Sequence, residues 1–118
     1  ILLSLRKHEI NFICLAGYMK IISNKLINNY KNKIINIHPS LLPKFKGLNT
    51  FSRILKSKEI KSGCTVHYVN EKLDSGCNII QKSFFIDAAD DENILKSKTQ
   101  KLEYKAFPEA IIKIFRNN

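Results

Sequence analysis

A chain of 118 residues, 44% of them hydrophobic, can bury one core but hardly two, and reads as one domain or a piece of one. Its net charge of +10 comes from lysines spread along the whole length, with arginine only at Arg6, Arg53 and Arg116. That pattern fits a solvated basic surface better than a nucleic-acid patch, because base edges are read mainly by clustered arginine. No apolar stretch approaches the roughly 18 residues of a membrane-spanning helix. The three cysteines, Cys14, Cys64 and Cys77, are scattered and form neither a zinc-ligand pattern nor a disulfide framework.

In chain order, residues 2 to 9 read as a helix and Phe12 to Leu15 as a short buried strand, with Cys14 as a buried free thiol within it. Ser23 is placed to cap a helix whose Leu26, Ile27 and Tyr30 share a face. Ile34 to His38 is the next strand. A strand, a helix and a strand joined this closely form a βαβ crossover, so the two strands should be parallel neighbours in an α/β fold of doubly wound style. Thr50 is expected to cap a short helix carrying Phe51, Ile54 and Leu55. Cys64 to Val69 and Ile79 to Phe85 follow as strands, with a loop between them. A long helix opens at Asp90 or Asp91 and should kink at Pro108.

Polar chemistry concentrates in three places. In Ile34–His38 the alternation of strand side chains sends Asn36 and His38 to one face and Ile35 and Ile37 to the other. Pro39 ends that strand, which puts His38 at the carboxyl end of an inner parallel strand, on the rim of a cleft where open α/β sheets bind ligands. By the same alternation Thr65 and His67 share a face. Asp74 lies in the loop Asn70, Glu71, Lys72, Leu73, Asp74, Ser75, Gly76. A carboxylate brought against an imidazole favours the protonated ring, a general acid near neutral pH. Each residue also has a plainer reading. Asn36 and His38 equally suit a strand end bonded to backbone, His67 suits a structural histidine, and Asp74 before Ser75 and Gly76 suits an ordinary turn.

Taken together, Asn36-Ile37-His38-Pro39-Ser40-Leu41-Leu42-Pro43, Gly47, Thr65-Val66-His67-Tyr68-Val69 and Leu73-Asp74-Ser75-Gly76 resemble the signature of the 10-formyltetrahydrofolate formyltransferases. Within that family the similarity is greatest to the members that act on glycinamide ribonucleotide. The stretch Leu15 to Ile22 resembles their folate-binding loop, and the likeness runs from about Leu15 to Pro108. It implies a formyltransferase fold, a Rossmann-like, mostly parallel sheet flanked by helices. Residues 1–118 would then be the C-terminal part of a single catalytic domain, with the N-terminal strands absent from the chain.

The resemblance also implies roles. The catalytic residues would be Asn36, His38 and Asp74, supported by Thr65 and His67. Met19, Lys20, Ile21, Ile22, Asn36, Asn70, Glu71, Lys72 and Leu73 would hold the folate, and Pro39, Gln100 and Glu103 the ribonucleotide. No metal and no permanently bound cofactor is implied, since 10-formyltetrahydrofolate is a cosubstrate. The partners would be these two anionic small molecules, which suit the basic balance, with no nucleic acid or membrane, in a cytoplasmic monomer or homodimer. A reducing cytosol also suits the free cysteines.

Some features depart from the family pattern. Gly17, Gly47, Gly63 and Gly76 are unclustered, so the glycine-rich phosphate loop is expected to precede Ile1, and the 118-residue chain alone to bind the ribonucleotide weakly and turn over poorly. Lys20 stands where relatives often carry Arg, and Asn49 where they carry His. Sister enzymes sharing the formyl-folate site are the nearest alternatives. Formyltetrahydrofolate deformylase usually shows His where Pro39 stands, and methionyl-tRNA formyltransferase carries a further C-terminal barrel. A basic nucleic-acid-binding module without catalysis is the remote one, and its affinity would fall steeply with salt.

Overall fold

The computed structural model describes residues 2–16, 23–72 and 76–116. The elements follow as α1 (Leu2–Lys7), β1 (Ile13–Ala16), α2 (Asn24–Asn29), β2 (Ile34–His38), α3 (Thr50–Lys56), β3 (Lys61–Tyr68), β4 (Asn78–Phe85) and α4 (Glu92–Arg116). They form one four-stranded sheet in the order β1-β2-β3-β4. The predicted βαβ crossover is present. Ser23 caps α2 by accepting from Leu26 N–H, α2 turns its Ile27 inward, and β1 lies parallel to β2 with Leu15 beside Asn36.

Beyond that crossover the pairing changes sense. β2/β3 and β3/β4 are antiparallel, so among the described residues parallel pairing is confined to the first two strands. β3 and β4 form a hairpin across residues 69–77, and a connection that short can join only antiparallel neighbours.

One face of the sheet carries the apolar core. Ile35, Ile37, Cys64 and Val66 point at Ala106, Ala110 and Ile114 of α4. The two alanines let the helix approach closely. Phe12 packs against this cluster and meets the Phe115 ring edge-on at 5.1 Å. Lys82 pairs with Glu109 at 2.9 Å, and Lys113 donates to the Ile79 carbonyl, fixing α4 along β4. Asp91 caps α4, its carboxylate accepting from Ile94 N–H at 2.8 Å. Lys98 bridges Asp87 and Asp90, both at 2.9 Å. No described helix is long and apolar enough to cross a membrane.

Two local expectations need correction. Cys14 is exposed, not buried: it shares the face of its partner Ile35, but it stands on β1, an edge strand of the described sheet. Thr50 is the first helical residue of α3 rather than its cap. The cap is Asn49, held in the left-handed region at φ 55°, while the Thr50 hydroxyl donates back to the Gly47 carbonyl. Pro108 lies inside a helix that continues from Glu92 to Arg116. It occupies the exposed side while Ala106 and Ala110 face the sheet. It has no N–H to offer the carbonyl of Tyr104, a residue that is itself exposed.

Candidate functional site

The second face of the sheet is polar and nevertheless buried. Antiparallel register sets Asn36 of β2 opposite His67 of β3, and His38 opposite Thr65. Next across the sheet, Thr65 faces Gln81 of β4, and His67 faces Asn78 after a bulge. The sheet thus lays two polar rows side by side, His38–Thr65–Gln81 and Asn36–His67–Asn78. Their first two members are no more than 3% exposed: Asn36 3%, His38 0%, Thr65 0% and His67 2%. Uncompensated burial of such groups costs several kcal/mol each, roughly 2–7 by transfer measurements, so the surrounding chain must supply partners.

For His38 and Thr65 those partners come from the connection between β2 and α3. Thr65 Oγ1 donates to the Ser40 carbonyl at 2.7 Å and accepts from Leu42 N–H at 3.1 Å and Gln81 Nε2 at 3.0 Å. Gln81 Nε2 also donates to the Leu42 carbonyl at 2.7 Å, and the Ser40 hydroxyl donates to the Lys44 carbonyl at 2.6 Å. Leu41 lies over Gly63, where an added Cβ would stand 2.9 Å from its Cδ2. The segment is thereby drawn down onto β3 and β4, and its far half closes over the histidine. His38 Nε2 lies 2.8 Å from the Phe45 carbonyl. A carbonyl oxygen only accepts, so Nε2 carries the hydrogen and Nδ1 is the ring's other proton-exchanging atom.

This closure corrects the expectation that His38 sits on an open rim: it ends β2 as predicted, but residues 39–45 fold back over it. The space beside the strand end opens past Pro39. A cavity of about 390 Å³ there is lined by Pro39, Leu48, Asn49, Thr50, Glu92 and Lys96, among others. Gln100 and Glu103 do not line it, but follow Lys96 at helical spacing along the same side of α4. Burial pushes the Glu103 carboxyl above its ordinary value. The Cys64 thiol, on the core face, is pushed up to about 11, chiefly by burial and then by the Glu103 charge, which keeps it unreactive.

The remaining predicted positions divide in two. Asn70 shapes its loop by accepting from Lys72 N–H at 2.9 Å, an Asx turn, while Glu71 and Lys72 are exposed. Met19, Lys20, Ile21, Ile22, Leu73 and Asp74 lie outside the described residues. Sequence reading missed Ser40, Phe45, Arg53 and Gln81 as contributors. Gln81 was open to discovery, because strand alternation on β4 and a correct register would have set it opposite Thr65. Among the described residues no three His, Cys, Asp or Glu side chains group as metal ligands do.

Comparison with known proteins gives this arrangement a family. The formyl transferase profile matches residues 1–111. The chain is 44% identical over 107 residues to the phosphoribosylglycinamide formyltransferase of Bacillus subtilis (strain 168), covering 91% of the chain and 55% of that relative. It is 45% identical over 107 residues to the trifunctional purine biosynthetic protein adenosine-3 of Drosophila pseudoobscura pseudoobscura, covering 91% of the chain and 8% of that protein. The crystal structure of phosphoribosylglycinamide formyltransferase from Bacillus halodurans superposes with a TM-score of 0.92 at 35% identity, across 96% of the chain and 58% of that structure. The chain therefore spans little more than half the length of the single-function relatives it matches. With the sequence signature, the fold and the profile in agreement over nearly its whole length, the chain belongs to the formyl transferase family.

Proposed function

We propose that this chain carries the formyl-transfer machinery of a phosphoribosylglycinamide formyltransferase, moving a formyl group from 10-formyltetrahydrofolate to the primary amine of glycinamide ribonucleotide in purine synthesis. The amine nitrogen attacks the formyl carbon, the carbon–N10 bond breaks, N10 gains a proton and the amine loses one. Asn36 donates a hydrogen bond to the oxyanion that develops on the formyl oxygen. His38, with Asp74 as its carboxylate partner, carries protons for the intermediate at Nδ1. Thr65 and His67 support this set. Met19 to Ile22 and Asn70 to Leu73 hold the folate, while Pro39, Gln100 and Glu103 face the ribonucleotide.

The single observation that carries this reading is the buried pair Asn36 and His38, side by side at the carboxyl end of an inner strand, with one ring nitrogen already committed to a backbone carbonyl. The strand rise sets their Cα atoms roughly 6–7 Å apart, a spacing that lets an amide and an imidazole reach one tetrahedral centre. The names of the relatives support the substrate assignment, and the basic charge of the chain suits two anionic substrates. The folate is a cosubstrate, and the enzyme would work in the cytoplasm as a monomer or homodimer.

The test is a formyl-transfer assay with both substrates, on the chain itself and on a version extended to the length of its relatives. Asn36→Ala should lower kcat by roughly 10² to 10³ through loss of an oxyanion donor, and His38→Ala and Asp74→Asn should lower it severely. Near-normal turnover by the Asn36 variant would remove the oxyanion role. Formyl transfer to methionyl-tRNA, or simple hydrolysis of the formyl folate, in place of glycinamide ribonucleotide formylation would overturn the substrate assignment.

A further inference from the structure

Arg53 stands on α3, eight residues beyond Phe45 in sequence, and spends its guanidinium on the segment that covers His38. Its Nη2 donates to the carbonyls of Phe45 at 3.1 Å and Lys46 at 2.5 Å, and its Nε donates to that of Leu48 at 2.9 Å. Its charge also lies 5.9 Å from the centroid of the Phe45 ring. These bonds hold an unusual backbone. Phe45 has φ 57°, Gly47 φ 85° and Asn49 φ 55°. Left-handed φ is unexceptional for glycine and tolerated by asparagine, but is strained for a bulky aromatic residue and persists only where the surroundings over-determine it.

The Phe45 carbonyl is the point of convergence, because one oxygen receives both Arg53 Nη2 and His38 Nε2. Its two lone pairs suit two donors. The planar fork of arginine reaches three carbonyls at once, which a lysine ammonium on its flexible stem does not match. The other half of the segment, Ser40 to Leu42, is tied separately by Thr65 and Gln81. Arg53 therefore governs the half that touches the histidine.

We propose that Arg53 is a positioning residue for His38: by pinning the Phe45 carbonyl in place it fixes the orientation of the imidazole and keeps the hydrogen on Nε2, leaving Nδ1 for proton exchange. Without it Phe45 relaxes to an ordinary φ, its carbonyl turns away, and the ring loses its anchor. The catalytic consequence rests on the formyl-transfer reading above, while the structural claim about the ring does not.

The experiment uses Arg53→Ala and Arg53→Lys with two readouts. Long-range ¹H–¹⁵N spectra, with the His38 signals identified by their loss in His38→Ala, should show the Nε2–H form dominant in the parent protein at neutral pH and a mixture of tautomers in both variants. Formyl transfer should show kcat reduced roughly 10- to 100-fold, the scale of a misplacement near 1 Å, with KM changed less than about threefold, and added guanidinium should restore part of kcat to Arg53→Ala. Arg53→Lys keeps the protein testable if the alanine variant fails to fold. Unchanged His38 ring signals in a folded Arg53 variant, or a lost kcat that guanidinium leaves unrestored beside an intact ring, would overturn the proposal. If instead His38→Ala transfers formyl groups normally, the functional reading fails, and the ring signals alone still decide the role of Arg53.

Discussion

Replacing Thr65 by Val isolates the hydrogen bonds that draw residues 40–42 onto the sheet, because the two side chains have nearly the same volume and shape. Thr65 is fully buried and its hydroxyl makes three hydrogen bonds, to Ser40, Leu42 and Gln81. Valine leaves the Leu42 N–H and the Ser40 carbonyl without a partner in a region closed to water, whereas Gln81 keeps its bond to the Leu42 carbonyl. A buried backbone group left unsatisfied costs about 1–3 kcal/mol. Two such groups, with some relaxation, give an expected loss of about 3 kcal/mol. At roughly 4 °C per kcal/mol for a chain of this size, Tm should fall by about 12 °C. Urea unfolding should show the midpoint moving with an unchanged slope, the mark of lost native stability rather than an altered denatured state. Thr65→Ser, which keeps the hydroxyl and loses a methyl, should cost only about 1 kcal/mol. If Thr65→Val is no more damaging than Thr65→Ser, hydrogen bonding does not hold this segment down.

Other changes probe the surroundings. In Gly63→Ala the new Cβ would stand 1.9 Å from the Lys82 carbonyl and 2.9 Å from Leu41; the backbone cannot yield cheaply, and a loss of more than about 3 kcal/mol is expected in the same urea assay. Ser62→Ala should be neutral or more stable by up to about 1 kcal/mol, because the Ser62 hydroxyl is buried with no hydrogen-bond partner among the described residues and alanine removes that desolvated group. The Lys98 hydrogen bond holds the Asp90 carboxyl below its ordinary value of 3.8. A depressed folded value means stability that is present above pH 3.8 and lost as pH falls through that lower value. The difference in Tm between the parent and Lys98→Met should therefore be constant near neutrality and shrink on the acid side of 3.8; a difference that persists there would remove the ion pair as its cause.

The order of strands and helices was legible because each rests on a short-range rule. Alternation in Ile34–His38 predicted that Asn36 and His38 leave one face, and the register with His67 and Thr65 places them so. The capping chemistry of Ser23 and the acidic pair Asp90 and Asp91 marked two helix starts, and both helices form, the second capped by Asp91. Long-range facts were not legible. Alternation says which face a side chain takes but not what covers it, so His38 was read as a rim residue although Phe45 closes over it. Cys14 fails for the converse reason. Its apolar neighbours suggested burial, but among the described residues it stands on an edge strand and is exposed. Arg53 offered no local signal, since its role lies in three carbonyls brought to it by a left-handed turn.

The two faces of β2 show why those missing facts matter. Toward α4 the strand presents Ile35 and Ile37 to alanines, an arrangement that many sequences would satisfy because apolar packing is non-directional. On the other side it presents an amide and an imidazole, each of which must find partners at fixed angles and distances. For the imidazole the chain meets that demand with a segment carrying left-handed Phe45 and Asn49, stapled at one end by Thr65 and Gln81 and at the other by Arg53. A fold selected for stability alone would fill the same volume with apolar side chains at lower cost. Local strain, buried polar rows and an arginine spent on backbone carbonyls converge on one imidazole, and departures from ordinary folding preference gather where a protein performs its chemistry. If the proposed role of Arg53 holds, the His38 ring should respond more to substitutions at Arg53, which shares the Phe45 carbonyl with it, than to changes elsewhere on the sheet.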